Sequence, residues 1–203
     1  MSFISIFVIG FFFSFIGSIP PGSINISVMQ LAMRNKKAAA LYFAMAAALV
    51  EFVYAGLAVK FQMFLTENTS ISSYFSIVSG AVLLILGILN LIKRGNQQPD
   101  SQGKERMAGF KKGILISMAN PLAIPFWLAV TAYLQSMGWL TLNEGNYLVY
   151  VAGISSGTFI LLGVVTWLGA RFAFIQHNDF IVYRVPGLIF LSMGIYTFYT
   201  WSV

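Results

Sequence analysis

The 203-residue sequence contains no cysteine and a single histidine, His177. Disulfide frameworks, thiol redox chemistry and metal sites built from several histidines are therefore excluded. Charged residues are also scarce, at 9% of the chain against about 25% in soluble globular proteins. Hydrophobic residues make up 58%. This balance indicates an integral membrane protein in a lipid bilayer.

The positive charges follow a pattern that argues against a nucleic-acid partner. The net charge is +6, but Lys and Arg lie in short clusters between apolar segments rather than in one basic patch. Eleven of the twelve fall in the first, third and fifth connections between those segments, and Lys60 is the exception. Because cytoplasmic loops collect Lys and Arg, both the N- and the C-terminus are predicted to face outward.

Six apolar segments are long enough to cross a membrane, so six transmembrane helices are predicted. A short polar loop is predicted at 62–70, and the long polar stretch 93–112 is predicted to be a mobile cytoplasmic linker. Residues 1–92 and 113–203 then form two three-helix units on either side of the linker. The predicted spans cover approximately 3–33, 38–59, 71–92, 113–137, 147–170 and 181–203.

The first span contains a helix breaker at its centre. Pro20 and Pro21 remove two backbone donors and clash with a continuing helix, and Gly22 adds freedom for a turn. Ser23 and Asn25 are expected to cap the helix that restarts. A broken membrane helix is tolerated where protein or a wet cavity satisfies its backbone, which is also where transporters place their substrate site. A simple proline kink is the alternative.

The two halves show a weak internal repeat. Several matches are separated by 107 positions, and a second breaker, Asn120-Pro121, follows Pro21 by 100 positions. Because each half has three spans, the halves must insert in opposite senses. The predicted fold is an all-α membrane protein of two inverted-topology repeats, with helices 1 and 4 broken by proline. The matched pairs are Phe52 and Phe159, Gly56 and Gly163, Gly80 and Gly187, and Gly87 and Gly194.

In this arrangement both restarted helices point their N-termini toward the middle of the membrane. A helix N-terminus carries partial positive charge and unpaired N–H donors, so two of them favour a carboxylate such as that of an amino acid. The amides beside the breaks could instead satisfy backbone freed by the prolines. Thr158 is the repeat equivalent of Glu51 and could instead serve helix packing. The predicted substrate-binding residues are Pro21, Gly22, Ser23, Asn25, Asn120, Pro121 and Thr158.

Glu51 is the one acidic residue inside a predicted span. A charge at that depth costs roughly 2.5–3.5 kcal/mol or more, so its side chain should face protein or water. Alanines at three- and four-residue spacings around it form a small-residue face that lets helices approach closely. Glu51 is thus a candidate proton carrier or a counter-charge for an amino group. A protonated side chain bound to nearby backbone is the alternative.

The residues then resemble a known family, the LysE/RhtB family of bacterial amino-acid exporters. The resemblance rests on the first break with Asn25, the basic turn 34–37, the second span with Glu51, and the segment 120–127. It covers essentially the whole chain. Typical members carry Pro-Gly-Pro and Asn-Pro-Lys, whereas this chain has Pro21-Gly22-Ser23 and Asn120-Pro121-Leu122. The resemblance implies proton-driven export of amino acids or related metabolites across the bacterial inner membrane.

Other classes fit the residues less well. A membrane electron carrier of two three-span halves needs a cysteine pair, and an intramembrane hydrolase needs a nucleophile with a base or acid partner, so no enzyme activity and no cofactor are expected. A metal-ion exporter of similar architecture is an alternative function, but one intramembrane acid and no intramembrane histidine make a poor cation site, so no metal site is predicted. A passive channel is a second alternative function. The Gly and Ala faces are also compatible with a homodimer.

Overall fold

The computed structural model describes residues 1–19, 22–67, 105–120 and 123–169, with isolated helical positions between 81 and 91 and between 184 and 195. The regular elements in the first four ranges are all α-helices. They are α1 (Phe3–Gly17), α2 (Ser23–Met33), α3 (Lys37–Glu67), α4 (Glu105–Met118), α5 (Ala123–Ser136) and α6 (Tyr147–Leu168).

The predicted first span consists of two helices rather than one. The Ser2 hydroxyl caps α1 by accepting a hydrogen bond of 3.2 Å from the Ser5 amide. The helix ends at Gly17, and α2 begins at Ser23 after an extended Gly22. Pro20 and Pro21, the predicted cause of the interruption, lie outside the described residues.

The helix α3 is longer than the predicted second span, because residues up to Glu67 are helical. The prediction of a loop beginning at Gln62 is therefore wrong for residues 62–67. Leu65 is buried at 2% exposure, and Phe61 and Phe64 stack one turn apart at 6.4 Å. Apolar side chains at helical spacing thus carry the helix beyond the polar residues that suggested a loop.

The helix α4 begins at Glu105, eight residues before the predicted fourth span. The end of the region predicted as linker is therefore helical. The reason is close packing: a Cβ atom on Gly109 would lie 2.3 Å from the backbone oxygen of Ala39. After α4 the chain bends by 64° into α5, and Pro121 in the connection lies outside the described residues.

Two of these helices are long and apolar enough to cross a membrane, at Lys37–Leu65 and Tyr147–Leu168. The bent pair α4–α5 counts as a third span if it is taken as one unit, and α1 and α2 are shorter apolar helices. The third and sixth predicted spans lie outside the described residues, apart from the isolated helical positions. The six-span count stays a prediction.

Glycines set the closest helix contacts. A Cβ atom on Gly10 of α1 would meet the Tyr150 oxygen of α6 at 2.4 Å, and one on Gly153 would meet the Phe7 oxygen at 2.2 Å. On the other side of the molecule, Gly109 of α4 approaches α3 in the same way. The helix α1 is therefore tied to α6, and α4 to α3, at backbone contact distance.

The interior consists of two apolar clusters. The first, here called the Trp127 cluster, joins α1, α5, the C-terminal half of α3 and the N-terminal half of α6. The second, the Phe43 cluster, joins α2, α4, the N-terminal half of α3 and the C-terminal half of α6. The buried members of the first are Ile6, Ala55, Ala58, Val59, Trp127, Leu128, Leu134, Leu140, Tyr150, Val151 and Ile154. Those of the second are Val28, Leu31, Ala39, Ala40, Phe43, Ala44, Ala47 and Leu162.

Candidate functional site

A polar layer separates the two apolar clusters. On α3 the Phe43 cluster ends at Ala47 and the Trp127 cluster begins at Ala55, while on α6 the boundaries are Ile154 and Leu162. The turns between these limits carry hydrogen-bonding side chains on both helices. We define the polar layer as Ser14 of α1, Glu51 and Tyr54 of α3, and Ser155 and Thr158 of α6.

Glu51 is held by a side chain from the other half of the sequence. The indole Nε1–H of Trp127 on α5 donates a hydrogen bond to its Oε1 atom. Trp127 is 1% exposed and Glu51 is partly buried, so the contact lies inside the helix bundle. An indole supplies one donor and no acceptor, so it fixes one carboxyl oxygen and leaves the second for another group.

Thr158 is engaged on the opposite side of the layer. Its hydroxyl and that of Ser14 are 2.9 Å apart in a buried hydrogen bond between α6 and α1. One turn earlier, the Ser155 hydroxyl donates a hydrogen bond of 2.8 Å to the backbone oxygen of Ala48 on α3. Thr158 thus faces helix α1, and Glu51, its predicted repeat equivalent, faces α5.

The Asn25 side chain beside the first break bonds to α1: its amide donates a 2.7 Å hydrogen bond back to the Ser18 oxygen. The N-cap residue of α2 is Gly22, which has no side chain to cap the helix, so the capping by Ser23 and Asn25 stays a prediction. Gly22 has a φ of −104° and a ψ of −173°, an extended conformation open to any residue, so the backbone does not use the freedom that glycine was expected to add here. Ser23 is the exposed first residue of α2.

The two interruptions lie next to each other in space. A Cβ atom on Gly17, at the end of α1, would lie 2.7 Å from the Phe126 ring in the first turn of α5. The Tyr54 hydroxyl donates a 2.8 Å hydrogen bond to the backbone oxygen of Met118, the last residue of α4. Asn120 follows, and its backbone N–H donates a hydrogen bond of 3.1 Å to the backbone oxygen of Ser117. Both interruptions thus border the polar layer.

Sequence reasoning identified Glu51 and Thr158 but missed their partners. Trp127 entered only as the last residue of a family motif, and Ser14 was not singled out. One signal was available for Trp127: a carboxyl group inside a membrane needs a hydrogen-bond donor, and tryptophan is an aromatic residue that supplies one. Pro21 and Pro121 lie outside the described residues, so their predicted roles stay predictions.

Within the described part of the chain, no three His, Cys, Asp or Glu side chains are grouped so that they could hold a metal ion.

A second contact joins the halves away from the layer. Lys60 of α3 pairs with Glu144 in the α5–α6 connection, and its Nζ atom lies 4.5 Å from the centre of the Tyr147 ring. The side chains of this pair are 44% and 72% exposed, so solvent screens the interaction.

Apolar helices around a polar layer suit a membrane protein that handles a polar solute, and comparisons with known proteins agree. The family model for the LysE type translocator matches residues 15–200. The chain is similar to "Putative amino acid efflux protein YcgF" of Bacillus subtilis (strain 168), at 25% identity over 190 residues, which are 90% of this chain and 88% of that protein. No solved structure matches the chain.

These findings define the class as a membrane transport protein with a small-molecule substrate. Because the family model covers most of its length, the chain belongs to the LysE-type translocator family. The predicted family resemblance is confirmed.

Proposed function

We propose that the protein is a secondary transporter that exports amino acids or related small metabolites from the cytoplasm in exchange for protons. The observation that carries the proposal is the Glu51–Trp127 contact, which places a carboxyl group in a polar layer between two apolar clusters. The family match and the name of the Bacillus subtilis relative support a translocator of this kind. The halves would alternate access by rocking or gating around the layer.

The composition of the two clusters supports an inverted repeat. A twofold axis between the halves would exchange α1 with α4, α2 with α5, and α3 with α6, and so would exchange the Trp127 cluster with the Phe43 cluster. Several cluster members on α3 and α6 are 107 positions apart, the offset of the sequence repeat. The pairs are Phe43 and Tyr150, Ala44 and Val151, Ala47 and Ile154, and Ala55 and Leu162.

A substrate carboxylate would bind where α2 and α5 begin. The N-cap residue of α2 is Gly22, which carries no capping side chain, and the start of α5 lies beside the end of α1 through Phe126 and Gly17. Helix N-termini stabilise negative charge through their N–H groups and dipole. Gly22, Ser23 and Asn25 would supply one side of this site, and Asn120 the other.

Glu51 would couple substrate to protons by binding one or the other. Its second carboxyl oxygen can accept a proton when the layer faces outward, or a substrate ammonium group when it faces the cytoplasm. A carboxyl group that is neutral in one half of the cycle and paired in the other avoids the cost of an uncompensated charge. Thr158 would contribute a hydroxyl from the opposite side of the layer.

The charge pattern supports an orientation in the bacterial inner membrane with both termini outside. The ends of α1, α3 and α5 near Phe3, Glu67 and Ser136 would then face outward, as would the Lys60–Glu144 pair. The Trp127 cluster would form the outer half of the protein and the Phe43 cluster the cytoplasmic half. The alanine face of α3 is buried within one subunit, so a homodimer would use another surface.

Counterflow in proteoliposomes tests this function. Vesicles loaded with an unlabelled amino acid would accumulate the same labelled amino acid from outside, assayed over a panel of amino acids and, separately, divalent cations. Accumulation of one amino-acid class, without competition by decarboxylated analogues, would support a site that recognises the substrate carboxylate. Accumulation of cations alone would contradict the proposal, and equal competition by decarboxylated analogues would remove the carboxylate site.

A further inference from the structure

Polar side chains also extend from the layer along one face of α5. Trp127, Thr131 and Gln135 are spaced four residues apart, so they lie in one row down the helix. Trp127 begins the row at Glu51, and Gln135 ends it with a 3.3 Å hydrogen bond from Gln62 of α3. The row therefore leads from the polar layer through the Trp127 cluster to the end of the helix.

Thr131, in the middle of this row, is buried, and its hydroxyl has no hydrogen bond of good geometry within the described residues. Its side chain is 0% exposed, as is that of its neighbour Tyr150 on α6. The two hydroxyls lie close to each other, but neither reaches good hydrogen-bond geometry with the other or with any other group in the described part of the chain. Burying a hydroxyl unsatisfied costs about 1–3 kcal/mol, and a valine and a phenylalanine would fill the same space without that cost. Two such groups facing each other indicate a site for a polar ligand.

We propose that the row Trp127–Thr131–Gln135 and the Tyr150 hydroxyl line a water path that carries protons between the outer surface and Glu51. Water is the ligand that fits, because a hydroxyl pair offers both donors and acceptors in a space bounded by apolar side chains. This inference rests on the proposed proton-coupled export. Protons would enter at the Gln62–Gln135 contact, pass waters held by Thr131 and Tyr150, and reach the second oxygen of Glu51.

The apolar residues around the row favour water that enters only transiently, rather than water that is always present. Its neighbours in the cluster, Leu128 and Leu134, are buried aliphatic residues on the same helix. The charged groups at the outer end include Lys60 and Glu144, which pair with each other beside the Tyr147 ring, and Glu67 at the end of α3. Water would enter when this end of the halves separates, which couples proton access to the outward-facing state.

The absence of native cysteine makes a direct test practical. Thr131→Cys would be compared with Val151→Cys, which follows Tyr150 in the chain and is also 0% exposed but belongs to the apolar cluster. A membrane-impermeant methanethiosulfonate would be added to spheroplasts expressing each variant. Because the thiolate that reacts forms only in water, Thr131→Cys should be labelled at least about tenfold faster. No labelling, or equal labelling of both, would overturn the proposal.

A second measurement tests the water path independently if the cysteine variant does not fold. Thr131→Val and Tyr150→Phe would be reconstituted with a pH-sensitive dye inside the vesicles, with Thr166→Val as control. Thr166 is buried but donates its hydroxyl to its own helix at Leu162, 2.8 Å away. Proton flux should fall several-fold in the first two and not in the control, while counterflow without a pH gradient persists. Unchanged flux in both would overturn the path.

The two proposals fail differently. If Thr131→Cys is labelled but counterflow detects no substrate, the water path stands and the amino-acid export proposal does not. If counterflow and pH-driven export are intact but neither hydroxyl variant nor the labelling shows an effect, export stands and protons reach Glu51 by another route.

Discussion

Ser155 donates a hydrogen bond of 2.8 Å to the backbone oxygen of Ala48, and the two residues are 107 positions apart. This is the offset at which the two halves of the sequence match. In an inverted repeat, a twofold axis passes between equivalent elements, so equivalent residues meet only near that axis. A contact between Ala48 and Ser155 is therefore consistent with the predicted pseudo-twofold axis passing through the polar layer, and Glu51 lies one turn from Ala48 along α3.

Topology gives the first prediction. Ser2→Cys and Val203→Cys should react with an impermeant thiol reagent added outside intact spheroplasts, because the charge pattern predicts that both termini face outward. Gln102→Cys, in the region predicted as the cytoplasmic linker, should react only after permeabilisation. The control is the native chain, which has no cysteine to label. Labelling of Gln102→Cys from outside would reverse the orientation, and opposite sides for the two termini would exclude an even span count.

Trp127→Phe should impair transport by removing the donor to Glu51 while preserving most of the apolar contact. A hydrogen bond to a charged group contributes about 1.5–3 kcal/mol, which corresponds to roughly a tenfold or greater loss of export rate. Trp139→Phe is the matched control, since Trp139 is 54% exposed and packs edge-on to Tyr133. Initial rates of pH-driven export would be compared at equal protein density. Similar export rates for both variants would contradict a role of the Glu51–Trp127 hydrogen bond in transport.

Gly153→Ala should destabilise the fold by separating α1 from α6. The new Cβ atom would lie 2.2 Å from the Phe7 backbone oxygen, and such overpacking costs about 1–3 kcal/mol. Gly163→Ala on the same helix meets nothing within 4 Å and should be neutral or stabilising by up to about 1 kcal/mol. The midpoint of thermal unfolding in detergent, at a fixed heating rate, measures both. An equal midpoint for the two variants would contradict the close α1–α6 contact.

The Ser14–Thr158 hydrogen bond should appear as a coupling free energy. Ser14→Ala, Thr158→Val and the double variant would be unfolded in detergent, and the interaction term should be about 0.5–3 kcal/mol because the bond is buried. Strictly additive losses would mean that the bond contributes nothing. If Thr158→Val also weakens counterflow at a temperature where both single variants are folded, whereas Ser14→Ala does not, Thr158 serves the substrate as well as the packing.

Composition and charge were sufficient to predict a helical membrane protein, because long apolar runs have few other solutions. The ends of the helices were predicted less well. Gln62 and the residues up to Glu67 were assigned to a loop by polarity, yet Leu65 is buried and the helix continues. The start of α4 was missed because the contact of Gly109 with Ala39 is a tertiary one that no local pattern contains.

The site was predictable only to the extent that polarity inside an apolar run is visible in a sequence. Glu51 and Thr158 stood out for that reason. Their partners did not, because Trp127 and Ser14 come from distant parts of the chain and belong to residue types that also occur in packing. The bond from the Asn25 amide back across the break to Ser18, seven residues earlier, was missed for a related reason, since it joins two helices.

The central claim is that Glu51 couples protons to export, and Glu51→Gln tests it most directly. Glutamine keeps the shape and can still accept the hydrogen bond from Trp127, but it cannot take up a proton. In proteoliposomes, the account predicts that a pH gradient no longer drives export by this variant, while exchange of substrate for substrate continues. Export by Glu51→Gln with the pH dependence of the native protein would contradict the account.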